Sequence, residues 1–328
     1  TALKNLGGGV LRELSHEIDA VSFVGSPPTV VRSARLSFEG APTDGQVETS
    51  ADFLLESDHL TTSIHLDMTT DVPYRHWDAI YSTFMQRAFD QLVHDVATQH
   101  LHVVLCLDRA GVVGADGPTH HGVLDIAYLR CVPGMIVMAP KDESELRDML
   151  YTAVQHTGGP VAIRYPRGNG LGVPMKDGFE ALTIGKAETV RSGRDVAILA
   201  LGNMVAPSLK AAELLLGDGI DAEVVNMRFA SPIDEETVRA LAARFSYLLT
   251  VEDHVVTGGF GSAVAETLAR LDLRGPHLKV HGIPGEFVEH GTPAELHAML
   301  KLDAPGIASV VKNFFRSKSI TSPVTTLA

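Results

Sequence analysis

From residue 195 onward the chain alternates short apolar runs with amphipathic stretches. Runs of strand length lie at 196–201, 222–225, 247–251 and 278–283, and stretches of helix length at 206–216, 234–243 and 258–271. The alternation predicts βαβ crossovers and a mostly parallel sheet with helices on both faces. One helix start is well specified. Ser231-Pro232-Ile233-Asp234 precedes Glu235 and Glu236, placing carboxylates in the first turn, where the helix dipole favours them. A second unit of the same kind precedes it, with strands predicted at 103–107, 135–138 and 161–163 and a helix over 142–156 that opens on acidic residues. The Gly-containing stretch 168–173 and the polar residues up to Gly185 read as a linker. The fold class expected is α/β, with two doubly wound, mostly parallel-sheet domains.

The first 78 residues are less regular. Residues 3–18 fit an amphipathic helix and 20–24 a strand, but from 26 to 78 the sequence is polar, rich in Thr and Asp, and shows little periodicity. No element is assigned there, because so long a structureless stretch is uncommon inside a compact domain.

Composition narrows the function classes. The 328 residues, 45% hydrophobic and 20% charged, suit two globular domains with sizeable cores. A net charge of −13 argues against general nucleic-acid or anionic-membrane binding, which needs a basic field. No apolar run has the roughly 18–20 residues that span a bilayer, and Thr1-Ala2-Leu3-Lys4 carries no signal-peptide pattern. Cys106 and Cys131 lie in apolar contexts without CxxC spacing, so both are expected to be buried free thiols of a cytosolic protein.

Three clusters carry candidate chemistry. The densest follows a predicted strand: Asp108-Arg109-Ala-Gly111-Val-Val-Gly114-Ala-Asp116-Gly117-Pro-Thr119-His120-His121-Gly122. Ligands in open parallel sheets bind beyond the carboxyl ends of strands, so this loop is well placed. Its glycines permit close backbone approach, Arg109 offers a forked anion donor, and His120 can move a proton near neutrality. A solvated turn with capping residues is the plainer reading, and the paired histidines beside Asp and Arg weigh against it. The second cluster, Ile80-Tyr81-Ser82-Thr83-Phe84-Met85-Gln86-Arg87, reads as a strand end entering a helix with Ser82 or Thr83 as N-cap. Tyr81 and Phe84 offer aromatic faces, with Arg87 one helical turn beyond Phe84; ordinary core aromatics with a surface arginine would explain this segment equally. The third, Arg164-Tyr165-Pro166-Arg167-Gly168-Asn169, places two arginines at a strand end, suiting a phosphate or carboxylate as well as an exposed turn. Gly217-Asp218-Gly219 reads as a plain turn and Glu286, Glu289 and His290 as a solvated loop. The Gly258-Gly259-Phe260-Gly261 helix start suits either an anion or close packing.

In this order, IYSTFMQRAFDQ, DRAGVVGADGPTHHG and RYPRGN closely resemble the 1-deoxy-D-xylulose-5-phosphate synthase family of the transketolase superfamily. YLRCVPGM, VEDHVVTGGFGSAV and EFVEHGTP extend the resemblance over residues 80–307. It implies a poorly matching N-terminal part (1–78), a pyrimidine-binding domain (79–172), a linker (173–185) and a C-terminal domain (186–328). It also implies a cytosolic homodimer that uses thiamine diphosphate and Mg²⁺ to condense pyruvate with glyceraldehyde 3-phosphate, with release of CO₂, toward isoprenoid precursors. Under the same resemblance Tyr81 and Phe84 line the cofactor's aminopyrimidine, Arg87, Arg109 and Arg167 hold the acceptor phosphate, and Asp116 and His120 orient and protonate substrate oxygens. Two departures stand out. The diphosphate-binding domain with its GDG…N metal motif is absent, so no metal ligand is expected in this chain, and Mg²⁺ and the diphosphate would be held by a missing domain or subunit. A family glutamate that protonates the aminopyrimidine has no matching motif; His59 falls at its place, with Glu56 and Asp58 nearby. A subunit of another two-component transketolase-like enzyme, or a catalytically inactive binding module, are the competing readings.

Overall fold

A computed structural model describes the backbone of residues 30–37, 50–57, 60–67 and 76–319, and the side chains of residues 80–316. The elements predicted at 3–18 and 20–24 lie outside the described residues. Strands β1 (Val30–Ser37), β2 (Ser50–Ser57) and β3 (Leu60–Asp67) form an antiparallel sheet in the order β1-β2-β3. Residues 26–78, to which the sequence pattern assigns no element, thus contribute three strands and the start of β4. Pairing between neighbouring strands satisfies their backbone hydrogen-bonding groups, and the alternation that marks a strand is present in β3 (Leu60, Ile64, Leu66 against Thr61, Ser63, His65, Asp67) but is diluted over 26–78 as a whole.

The first mostly parallel sheet comprises β4 (His76–Tyr81), β5 (Val103–Asp108), β6 (Ile136–Met138) and β7 (Val161–Arg164). The helix α1 (Ser82–Met85) opens a chain of short helical turns after β4, α2 (Asp125–Leu129) follows the glycine-rich loop, and α3 (Glu143–Gln155) crosses from β6 to β7. Asp142 caps α3, its side chain accepting from Glu145 N at 2.8 Å, a cap of the kind worth about 1 kcal/mol. The second sheet contains β8 (Glu188–Arg191), β9 (Val196–Ala200), β10 (Ala222–Asn226), β12 (Tyr247–Val255) and β13 (His277–Ile283), in the order β13-β12-β9-β10-β8. It is parallel except for the edge strand β8. Its helices are α4 (Val205–Gly217), α5 (Glu235–Arg244), α6 (Phe260–Arg270), α7 (Pro293–Met299) and α8 (Ala304–Ser319). Asp234 caps α5 through Thr237 N at 3.1 Å, as the sequence anticipated.

A short strand, β11 (Phe229–Ser231), leaves the second unit and pairs antiparallel with β6, giving the first sheet the order β11-β6-β7-β5-β4. The core is shared in the same way. Leu105, Leu107, Val137 and Ala162 belong to one apolar cluster with Ala197, Leu199, Val225 and Phe260. Burying a side chain such as Phe260 stabilises by roughly 1.5–3 kcal/mol, so the two sheets rest on common apolar burial.

The irregular segment after β7 is held along α3 by side chains spaced on one helical face. Glu143 accepts from Leu171 N and Val173 N, Arg147 donates to Lys176 O, Asp148 accepts from Glu180 N, and Thr152 Oγ1 accepts from Leu182 N. Among the described residues no helix is long and apolar enough to cross a membrane. Cys106 is buried, whereas Cys131 is exposed in the turn after α2, correcting the expectation that both thiols are buried. Its Sγ lies 3.0 Å from Tyr128 O; the turn after a short helix places it outside the sheet–helix contact.

Candidate active site

The carboxyl ends of β4, β5 and β7 lie side by side, and the three sequence clusters begin there. Each strand delivers one part of the site. After β4, Tyr81 caps α1 by its backbone alone, while Ser82 is buried. This corrects the N-cap expected at Ser82 or Thr83. Gly122 packs so closely that an added Cβ would stand 2.5 Å from Ser82 Oγ, so the hydroxyl is enclosed by the glycine-rich loop and does not cap the helix. Tyr81 and Phe84 stack with ring centroids 5.8 Å apart, and Phe84 meets the His120 ring edge-on at 5.4 Å. The Arg87 guanidinium lies 5.3 Å from the Phe84 centroid, and that of Arg109 lies 3.9 Å from the Tyr81 centroid. Cation–π contacts of this kind are worth about 0.5–2 kcal/mol and fix the planar groups relative to one another.

After β5, Arg109 takes a left-handed backbone conformation (φ 59°), and its N–H donates to Asp108 Oδ1 at 2.6 Å. Arg109 Nη1 then donates to Asp116 Oδ2 at 2.8 Å, and Arg167, beyond β7, donates to the same oxygen at 2.7 Å. Two guanidiniums from different strands therefore converge on one anionic oxygen. All seven candidate residues, Tyr81, Phe84, Arg87, Arg109, Asp116, His120 and Arg167, meet in one connected array. Thr119 Oγ1 lies 2.9 Å from His120 Nδ1. The two histidines of the loop part company: His121 is buried, with Nδ1 accepting from Val113 N at 2.9 Å and Nε2 3.3 Å from Glu289 O. His121 staples the loop to the 286–290 segment, whose Glu286, Glu289 and His290 are exposed as expected.

Behind the loop lies a buried polar network that the sequence did not disclose. Arg164 Nε donates to Asp125 Oδ2 at 2.9 Å, and its Nη2 reaches Asp253 O at 3.1 Å and Gly122 O at 3.4 Å. Asp253 accepts from Val112 N at 3.2 Å, Asn203 Nδ2 at 3.1 Å and His297 Nε2 at 3.1 Å. Burial opposes its charge, but the His297 and Asn203 bonds and the nearby Arg164 charge outweigh it and hold the carboxyl below its ordinary range. An added Cβ on Gly111 (φ 78°) would lie 2.0 Å from Asp253 Oδ2, so glycine is required there. Next to Asp253, Glu252 accepts from Phe260 N at 2.6 Å and Gly261 N at 2.8 Å at the start of α6. The glycine-rich helix start thus holds an internal carboxyl group and packs closely, since a Cβ on Gly261 would lie 2.4 Å from Val280. Burial pushes Glu252 up to about 8 and His254 down to about 4.

A cleft of about 470 Å³ opens beside the arginine pair, lined by Arg109, Arg167, Lys141, Asn169 and Asn203. Lys141 and Asn203 follow β6 and β9, so the strand-end rule had a signal for them. Lys141 is held charged against its burial by Glu145 and Glu188. The Gly217-Asp218-Gly219 segment is a turn at the end of α4, with Asp218 paired to Lys312 at 2.9 Å. Among the described residues no three His, Cys, Asp or Glu side chains gather as a metal site requires. Asp58 and His59 lie outside the described residues, and Glu56 falls in β2, where only the backbone is described.

Comparison with known proteins agrees with this architecture. The transketolase pyrimidine-binding domain matches residues 53–171 and the transketolase C-terminal domain residues 185–307. A 1-deoxy-D-xylulose-5-phosphate synthase from a Synechococcus species is 57% identical over 241 residues, covering 73% of this chain and 37% of the relative. One from Gloeobacter violaceus is 54% identical over 246 residues, covering 75% and 38%. The chain thus spans little more than a third of the length of these curated relatives. Among solved structures, the inactive β4 tetramer of a split-gene transketolase superposes with a TM-score of 0.64 at 31% identity, covering 73% of this chain and 75% of that one. A transketolase variant from Pichia stipitis (TM-score 0.60, 20% identity, 75% and 35% coverage) shares the fold. Both domain models match, over the residues that build the two mostly parallel sheets, and the split-gene relative is 31% identical over 75% of its own length: the chain belongs to the transketolase family and carries its pyrimidine-binding and C-terminal domains.

Proposed function

We propose that this chain is the acceptor-binding part of a 1-deoxy-D-xylulose-5-phosphate synthase, completed by a diphosphate-binding domain or subunit. The observation that carries the reading is the convergence of Arg109 and Arg167 on one oxygen beside the Tyr81–Phe84–His120 array. Asp116 occupies the place an anion would take. The phosphate of glyceraldehyde 3-phosphate, with more charge and three terminal oxygens, competes for both guanidiniums and adds forked, charge-assisted bonds. Arg87 adds positive charge at the rim. Asp116, released from one arginine, then faces substrate hydroxyls. His120, with Nδ1 engaged by Thr119, exchanges a proton through Nε2 with a substrate oxygen.

The aromatic pair fits the aminopyrimidine side of thiamine diphosphate, which when bound supplies the ylid and the electron sink for pyruvate decarboxylation. Tyr81 and Phe84 would line that ring. On this reading Mg²⁺ and the diphosphate are held by the completing domain.

The test is a carbon–carbon ligation assay with pyruvate and glyceraldehyde 3-phosphate, run with and without a supplied diphosphate-binding domain. The chain alone should be inactive, and the assembly should turn over. In the assembly, Arg167→Ala should raise KM for the aldehyde phosphate far more than for pyruvate. Equal effects on the two substrates would remove the phosphate role. A second reading, one subunit of another two-component transketolase-like enzyme, is favoured by the likeness to the split-gene β4 tetramer. Turnover with unphosphorylated or longer acceptors in preference to glyceraldehyde 3-phosphate would select it.

A further inference from the structure

Arg167 sits on a segment that packing does not hold. Residues 166–172 are all exposed, and three of them are glycines. A Cβ added at Gly168 or Gly172 would meet nothing within 4 Å, so the strap runs over open space. Such a segment has little to offset the roughly 1–2 kcal/mol of backbone entropy that each ordered residue costs. Among the described residues Arg167 reaches one carboxylate, Asp116, across the mouth of the site.

On the other side of Arg167 there is one strong anchor. The Glu143 carboxylate, in the first turn of α3, accepts from Leu171 N at 2.9 Å, Gly172 N at 2.5 Å and Val173 N at 2.9 Å. Glu143 is only 8% exposed. A Cβ at Gly170 would lie 2.9 Å from Glu143 Cδ and Oε1, so the carboxylate lies directly against the strap backbone. Burial raises the cost of its charge, yet the backbone N–H groups outweigh that and hold the carboxyl below its ordinary range. The remaining clamps along α3, at Arg147, Asp148 and Thr152, hold residues 176–182 and begin too far downstream to fix Arg167.

We propose that Glu143 is the positioning residue of the anion site, its carboxylate fixing the Leu171–Val173 backbone and thereby holding Arg167 in register with Arg109. The proposal rests on the reading of Arg109 and Arg167 as a phosphate site. Glu143 touches no substrate. It acts by reducing the freedom that the strap would otherwise lose each time an anion binds, which is the physical content of preorganisation. A guanidinium–phosphate contact is a charge-assisted bond whose removal weakens binding by roughly tenfold or more. Releasing the strap should forfeit much of that gain while leaving Arg167 present.

The experiment measures binding of inorganic phosphate and of glyceraldehyde 3-phosphate to the full chain by calorimetry. The variants are Arg167→Ala, Glu143→Ala, Glu143→Gln and the double variant Glu143→Ala/Arg167→Ala. Amide exchange over residues 168–175 is followed in parallel. Glu143→Ala should weaken phosphate roughly five- to tenfold, and the double variant should be no weaker than Arg167→Ala alone, because both remove one interaction. Glu143→Gln keeps the side-chain shape and one acceptor oxygen, so it should fall between wild type and Glu143→Ala. The amides of Leu171, Gly172 and Val173 should exchange faster in both Glu143 variants. Wild-type affinity in Glu143→Ala and Glu143→Gln, with Arg167→Ala weakened, overturns the positioning role and leaves the phosphate site standing. So does full additivity in the double variant. An Arg167→Ala variant that binds phosphate as wild type does overturns the phosphate site itself. Should Glu143→Ala not fold, Glu143→Gln decides by the same affinities and exchange rates.

Discussion

Replacing Arg164 by Met tests how the two sheets are joined behind the site. Arg164 is 3% exposed and its partner Asp125 0% exposed, with Nε and Oδ2 2.9 Å apart. Met fills a similar volume but leaves the Asp125 carboxylate buried with Ile126 N (2.9 Å) as its hydrogen-bond donor. His254 Nε2 lies 3.7 Å away, and burial keeps that ring neutral by pushing it down to about 4. Removing one member of a buried pair costs about 3–5 kcal/mol, most of it the uncompensated charge. Loss of the Asp253 O contact at 3.1 Å adds about 1 kcal/mol. If this accounting holds, the double variant Arg164→Met/Asp125→Leu should recover most of the loss and lie within about 1–2 kcal/mol of wild type. Urea unfolding followed by circular dichroism at neutral pH reads both. The reasoning is refuted if Arg164→Met unfolds within about 1 kcal/mol of wild type, or if the double variant is less stable than either single one.

Two further predictions come from burial. Glu252 has a folded-state value near 8 against an ordinary 4.5, so the native chain binds more protons there, and this contribution falls as pH rises from 4.5 to 8. His254 is depressed from 6.5 to about 4, so its contribution falls as pH drops from 6.5 to 4. The two oppose each other below pH 6.5. Between 6.5 and 8 Glu252 acts without that opposition, and urea midpoints of wild type should decline there more steeply than those of Glu252→Gln; parallel curves would contradict the shift. Brief iodoacetamide treatment of the native chain should modify Cys131 and spare Cys106, read by peptide mass; equal labelling would contradict the burial difference.

The sequence determined the central strands and long helices from β5 to β13, though not β8, β11, α2, α7 or α8, and it drew attention to the three clusters that the structure brings together. Runs such as Val196–Ala200 are apolar on both faces and have only one stable place, the middle of a covered sheet. The three clusters follow strand ends, so parallel pairing of β4, β5 and β7 brings Tyr81, Arg109 and Arg167 together. The β1–β3 sheet escaped although β3 alternates, with Leu60, Ile64 and Leu66 on one face and Thr61, Ser63, His65 and Asp67 on the other; the polar residues on both sides of each strand diluted that signal. β11 escaped for a different reason: three residues carry no readable period, and their partner β6 is some ninety positions away. Tertiary structure alone decided what the charged residues do. It set Asp116 between two arginines, made His121 a staple and left His120 in the aromatic array, and put Asp253 from the second unit beneath Gly111 of the first. It also turned Glu143, which reads along the chain as an ordinary first-turn acid, into the anchor of the Arg167 strap. Hydrogen bonding between distant segments depends on distances that only the closed fold supplies, whereas burial periodicity is written locally. For that reason the strands and the residue types of the site can be read from the chain, and their electrostatic partners cannot.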